Sequence, residues 1–259
     1  AQAPEALAVI REVAAARGSR LITVGPDGSA SDYTYRAGAY TSERQAFSVR
    51  GPDGVARDFT LTLLGEHQLE NAAAVVAAVD ALRTSGVAVD DAALRDGLAA
   101  ARWPARLQVV GERPWLVVDG AHNADSLARL LAALRRHFTY GRLALVLGLM
   151  ADKDLAGIAR EIAQDHVALV VATAARNPRA MAPERIVAAL AEAAPGLAVQ
   201  TAPGIAEAVT LALGAVGPDD LLCVTGSLYL AGEALRHFAA HGGAERMRPI
   251  AIAGVDQGH

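Results

Sequence analysis

The chain has 259 residues, of which 53% are hydrophobic and 20% charged, a balance that excludes a disordered tail or a rod and leaves room for one large or two smaller domains. A net charge of −4 gives no basic field for nucleic acid or an anionic membrane. No apolar run approaches the roughly 20 residues of a membrane helix, and the start has no basic segment followed by a cleavage site, so the expectation is a cytoplasmic protein without nucleic-acid or membrane partners.

In chain order, the pattern predicts an opening helix over 4–17 and a short strand at RLITVG (20–25). Turn-rich alternating segments follow around YTYRAG, RQAFSVRG and ARDFTLTLLG, with GPDG turn signals at 25–28 and 51–54. These read as a few antiparallel strands. Helices over 68–85 and 90–101 come next, the second opening on acidic residues that suit a helix N-terminus. From about residue 104 short apolar runs alternate with longer amphipathic stretches. Strands are predicted at 114–120, 143–149, 167–173, 197–202 and 220–227, and helices at 124–138, 155–164, 183–194, 205–216 and 228–241. Apolar strands joined by amphipathic helices imply an α/β fold, a Rossmann-like and mostly parallel sheet covered on both faces with right-handed crossovers.

In such a sheet ligands bind beyond the carboxyl ends of the strands. Four of the turns there are polar: Asp119, His122 and Asn123 in DGAHN; Asp152, Lys153 and Asp154 in ADKD; Thr173, Arg176 and Asn177 in TAARN; Thr225 and Ser227 in TGS. A rim mixing cations and carboxylates beside helix N-termini suits a phosphate- or carboxylate-bearing ligand. Each turn taken singly also fits plain helix capping. Of the 24 basic residues 23 are Arg, and the remaining one is Lys153. Because Asp152 precedes it, Lys153 is not the lysine of a Walker A loop, and no G-x-G-x-x-G, G-x-S-x-G, paired C-x-x-C or H-E-x-x-H occurs. The one cysteine, Cys223, sits in the apolar run LLCVTG and reads as a buried, inert thiol.

Six ordered segments carry a family resemblance: LLGEHQLENAAAVVAAV (63–79), RWPARLQVV (102–110), LVVDGAHNADS (116–126), LGLMADKD (147–154), NPRA followed by PE (177–184) and VTGSLYLAGE (224–233). In order and spacing they resemble the second half of folylpolyglutamate synthases, including those that double as dihydrofolate synthases, within the Mur ligase superfamily. The resemblance implies a domain plan of 1–101 as the tail of an ATP-binding central domain, 102–106 as linker and 107–259 as the C-terminal Rossmann-like domain. It further implies a ligase, active as a monomer in the cytoplasm, that adds L-glutamate to tetrahydrofolate or dihydropteroate through an acyl phosphate, using ATP and Mg²⁺. No metal ligand is expected here, because the resemblance puts the Mg²⁺ ligands mostly in the N-terminal half that this sequence lacks. The first residue is Ala rather than Met, and the expectation is a fragment that is inactive alone. Two other readings stand beside it: a non-catalytic nucleotide- or glutamate-binding module, and a piece of a peptidoglycan Mur ligase.

Residue by residue, the resemblance makes Asn71 and Arg106 nucleotide-binding, the second reaching ATP phosphates from the linker. Asp119 is implied on the nucleotide side and in positioning the linker, and His122 near the incoming glutamate and the acyl phosphate. Ser227 is implied at the glutamate carboxylate, and Lys153 as a substrate contact or a structural ion pair. A cap at the start of its helix is the plainer reading of Asn71. Two departures from the family pattern are Ala124 for Pro and Ala105 for Gly before the linker arginine, the latter implying a stiffer linker.

Overall fold

The computed structural model describes residues 4–241. The chain divides between Ala101 and Arg102 into two compact units; the portion of the expected last domain beyond residue 241 lies outside the described residues.

The first unit comprises α1 (Pro4–Ala16), β1 (Val24–Pro26), β2 (Tyr33–Tyr40), β3 (Gln45–Arg50), β4 (Ala56–Leu61), α2 (Glu66–Thr84) and α3 (Asp91–Ala100). Its sheet runs β1-β2-β3-β4. The last three strands are antiparallel, as the alternation predicts, while β1 pairs with β2 in parallel. Leu69, Ala72, Ala73, Val76 and Ala77 recur at helical spacing and make the buried face of α2, which packs with Phe47, Val49, Phe59 and Leu61 of the sheet and Leu94 and Leu98 of α3. At the rim of this core Arg57 bonds Asp80 at 3.0 Å, Tyr33 donates to the same carboxylate at 3.1 Å, and Arg83 links Asp80 to Asp91 of α3. Helix α1 buries none of its residues.

The second unit comprises β5 (Gln108–Glu112), β6 (Trp115–Val118), α4 (Ala124–His137), β7 (Leu143–Leu147), α5 (Leu155–Ala163), β8 (Val167–Ala172), α6 (Pro183–Ala193), β9 (Ala198–Thr201), α7 (Ile205–Ala215), β10 (Leu221–Thr225) and α8 (Leu228–Ala240). Each predicted strand and helix of the α/β run is present. The addition is β5, which pairs antiparallel with β6, so the sheet order is β5-β6-β10-β7-β8-β9 with five parallel strands and one antiparallel edge. Every residue of β7 and β10 is buried, which is why both read as unbroken apolar runs. One face, carrying Val118, Val146, Val171, Leu222 and Val224, packs under α7 and α8. Right-handed crossovers place α4, α5 and α6 on the other, where they pack side by side. Cys223 is fully buried at mid-strand, and burial pushes its thiol pKa well up, as fits an inert group.

The order of strands sets where a site forms. The chain runs outward from β6 to β7, β8 and β9, then returns to insert β10 between β6 and β7. Loops leaving β6 and β7 turn toward one face, and the loop leaving β10 turns toward the other. This is the switch point at which open α/β sheets bind ligands.

Candidate active site

Registers across the sheet bring Val118 beside Val224, Thr225 beside Leu147 and Leu147 beside Ala172. The four polar turns therefore emerge along one edge. Their backbones are stitched together: Asp119 N–H donates to Val224 O (3.0 Å), Gly226 N–H to Ala121 O (2.9 Å), Gly148 N–H to Thr225 O (3.1 Å) and Thr173 N–H to Leu147 O (2.9 Å). The stitching needs glycine. A Cβ on Gly226, whose φ is +111°, would lie 2.6 Å from Gly148 O, and one on Gly148 would lie 2.8 Å from Thr173 O.

Asp119 is buried at the carboxyl end of β6. Its carboxylate accepts Leu107 N–H at 2.8 Å and Ala121 N–H at 2.7 Å. Burial pushes its pKa up; the two N–H donors and the charges of Arg106 and His122 pull the other way. The segment it grips has an uncommon backbone. Ala105 and Leu107 both adopt left-handed φ, 56° and 46°, on either side of Arg106. Three hydrogen bonds hold them there: Leu107 to Asp119, Gly120 N–H to Ala105 O at 2.9 Å, and Ala105 N–H to Gln108 Oε1 at 3.0 Å. Left-handed backbone costs a non-glycine residue about 1–2 kcal/mol. Two neutral hydrogen bonds at about 0.5–1.5 kcal/mol and one to a charged group at about 1.5–3 kcal/mol are of the size needed to offset it. Ala105 is therefore held in the conformation that the glycine expected there adopts more readily. Arg106 is half-buried, and among the described residues its side chain has no hydrogen-bond partner.

His122 bonds Gly120 O through Nδ1 at 2.9 Å. A carbonyl only accepts, so Nδ1 carries the proton and Nε2 is left to accept or to take a second one. The next residue, Asn123, caps α4: its side chain accepts Ser126 N–H, and Ser126 Oγ accepts both Asn123 N–H and His122 N–H. The ring of His122 is thereby placed by its bond to Gly120 O, and its backbone by Ser126 Oγ.

The other expected site residues divide. Ser227 is buried and caps α8, accepting Leu230 N–H at 3.1 Å. Lys153 forms an ion pair with Asp152 at 2.9 Å, while Asp154 caps α5. Arg176 and Arg179 are exposed after β8. Asn71 belongs to the first unit; it is exposed in the second turn of α2, bonded to Gln68 Oε1 at 3.3 Å. The plainer reading of Asn71 as a cap is corrected, because the N-cap is Gly65. Gln108 is the residue that the sequence did not single out; its only signal was its place in the RWPARLQVV segment. Among the described residues no group of three or more His, Cys, Asp or Glu side chains is placed to hold a metal ion.

Residues 105–228 match the family model described as Mur ligase, glutamate ligase domain. The chain is 36% identical over 232 residues to the probable bifunctional folylpolyglutamate synthase/dihydropteroate synthase of Haloferax volcanii, covering 89% of this chain and 26% of that protein. It is 32% identical over 230 residues to the folylpolyglutamate synthase of Lacticaseibacillus casei, covering 88% of this chain and 50% of the relative. The solved structure of Mycobacterium tuberculosis folylpolyglutamate synthase complexed with ADP aligns with a TM-score of 0.82 at 28% identity, over 92% of this chain and 53% of that one. The chain thus spans between a quarter and about half the length of these proteins. The match to the Mur ligase, glutamate ligase domain falls within the α/β second unit, over the segment whose polar loops gather at the sheet's switch point.

Proposed function

We propose that this chain is the C-terminal part of an ATP-dependent ligase that joins L-glutamate to the terminal carboxylate of a folate, tetrahydrofolate or dihydropteroate, through an acyl phosphate. One observation carries the reading: Arg106, Asp119 and His122 are gathered around the loop that follows β6, in a glutamate ligase domain whose similar proteins are named folylpolyglutamate synthases. On this reading residues 1–101 are the tail of the ATP-binding domain and 102–106 the linker.

The chemistry fits those side chains. A carboxylate is a poor electrophile, and phosphorylation turns one of its oxygens into a leaving group. Arg106, fixed in direction by the turn around it, neutralises phosphate charge as the nucleotide reacts. The free Nε2 of His122 takes up or orients the proton of the attacking ammonium group, so that the glutamate nitrogen reaches the acyl phosphate as an amine. Ser227 still has its own hydroxyl proton to donate to the glutamate carboxylate, since the cap uses only its oxygen as acceptor. Lys153, tied to Asp152, acts as a positive edge to the same rim. Asn71 keeps the nucleotide-binding role that the family resemblance implies for it. Mg²⁺ accompanies ATP in this reading, but the described residues do not fit a metal-ion site, so no step is assigned to it in this chain. The reading places the protein in the cytoplasm, where ATP is available; no helix among the described residues is long and apolar enough to cross a membrane.

The test is an assay of the complete protein with ATP, L-glutamate and either tetrahydrofolate or dihydropteroate, following glutamylated product by mass. The expected result is ATP-dependent product with at least one folate and none from this chain alone. Glutamylated product from this chain alone, or no product from the complete protein with either folate, overturns the reading.

A further inference from the structure

The place of Arg106 depends on its neighbours. It lies between two left-handed residues, and the bonds that hold them come from outside the turn, from Asp119 and Gly120 in one loop and from the side chain of Gln108. In the left-handed region a non-glycine residue persists only where its surroundings over-determine it, and such sites serve pre-organisation. If Ala105 or Leu107 reverted to extended backbone, the direction in which Arg106 leaves the chain would change. Two of the anchors belong to the loop that also carries His122. The third, Gln108, is the first residue of β5; its register opposite Val118 sets it beside the loop that Asp119 begins.

We propose that Gln108 is a positioning residue for Arg106. Its amide oxygen holds Ala105 N–H, closes the turn from the side that Asp119 does not reach, and so presets the guanidinium for an anionic ligand such as the nucleotide phosphates. This deepens the ligase reading above and rests on it. Pre-organisation of this kind acts on ligand capture: without the clamp the guanidinium has to find its position in each binding event.

The experiment uses two variants. Gln108→Leu removes the acceptor and keeps the bulk; Gln108→Glu keeps an oxygen at the same reach. In this chain, amide hydrogen exchange is expected to show Ala105 N–H losing protection by about tenfold in Gln108→Leu, with Gln108→Glu close to the parent. In the complete ligase, Gln108→Leu is expected to raise KM for ATP by about tenfold while kcat falls less than about threefold, and Gln108→Glu to restore KM. A merely structural role would lower kcat through loss of folded enzyme and leave KM in place. Unchanged exchange at Ala105, or lost protection there with parental KM, overturns the proposal. Arg106→Ala separates the two levels. If it raises KM and adding Gln108→Leu raises it no further, the clamp acts through Arg106. If Arg106→Ala alone changes nothing, the functional reading of Arg106 fails, and the positioning role with it.

Discussion

The peptide N–H of Leu107 donates to the buried Oδ2 of Asp119 at 2.8 Å, tying the start of the second unit to the loop that follows its first parallel strand. The bond joins a residue with left-handed backbone to a carboxylate whose other oxygen is taken by Ala121 N–H. Asp119→Ala strands both donors in a buried place, at about 1–3 kcal/mol each. Asp119→Asn keeps one acceptor oxygen and is expected to lose less. Urea unfolding at constant slope measures both, and equal midpoints for the three proteins would rule out the clamp.

Ala105 is the opposite case. At φ 56° it sits where glycine is at ease, so Ala105→Gly is expected to stabilise the chain by about 0.5–1 kcal/mol once the entropy of the added glycine is subtracted. The same denaturation series reads it. A loss of stability would mean that the turn is not left-handed in solution.

Gly226→Ala should be among the most damaging small substitutions in the second unit. The new methyl would sit 2.6 Å from Gly148 O on a backbone at φ +111°. The expected cost is at least about 2 kcal/mol. A shift in the unfolding midpoint much smaller than this would show that the loops after β7 and β10 are further apart than described.

Acid should loosen the first unit through Asp80. The hydrogen bond from Arg57 holds its carboxyl below the ordinary 3.8, so the folded value lies under the unfolded one. A depressed carboxylate contributes stability above the unfolded value, and that contribution is lost as pH falls through the folded value. Asp80→Asn is expected to cost about 1–3 kcal/mol at neutral pH, with the gap to the parent closing as pH falls below the ordinary carboxylate value. A gap that stays constant on acidification would assign the cost to packing.

On the ligase reading proposed above, His122→Ala is expected to slow glutamate ligation by the complete enzyme by about a hundredfold or more, while moving stability by no more than about 1 kcal/mol. Steady-state rates and a thermal melt on the same preparation check it. Parental turnover would remove His122 from the site.

Much of this was legible in the residues. The turns at Asp119, Lys153, Thr173 and Ser227 could be located because the switch from apolar runs to helical spacing marks where each parallel strand ends. Strand β5 was not legible: it is five residues long and bulged between Val109 and Gly111, so neither alternation nor an unbroken apolar run marks it. The left-handed turn at 105–107 was hidden for a different reason. Glycine is the usual written sign of positive φ, and here Ala and Leu are held there by Asp119 and Gly120, twelve and more residues away, and by the side chain of Gln108, which nothing in its spacing marks. Asn71 invited a capping reading that the backbone gives instead to Gly65, because helix α2 starts earlier than its apolar spacing implies. Ser227 shows the converse, a residue whose capping role is plain in the structure, while the ligand contact proposed for it rests on a single remaining proton.

The position of β10 has a consequence for how the protein is made. The strand fills the gap between β6 and β7, more than a hundred residues after β6 has been synthesised. Until it arrives, two strands destined to lie on either side of it have no shared edge, and the loop from Asp119 to Asn123 lacks the Gly226 N–H that later holds it. The candidate site is thus completed by a strand made late rather than elaborated on a finished core. A nascent or truncated product stopping short of Leu221 would expose the flanks of β6 and β7 to other strands, making premature termination a route to aggregation as well as to inactivity.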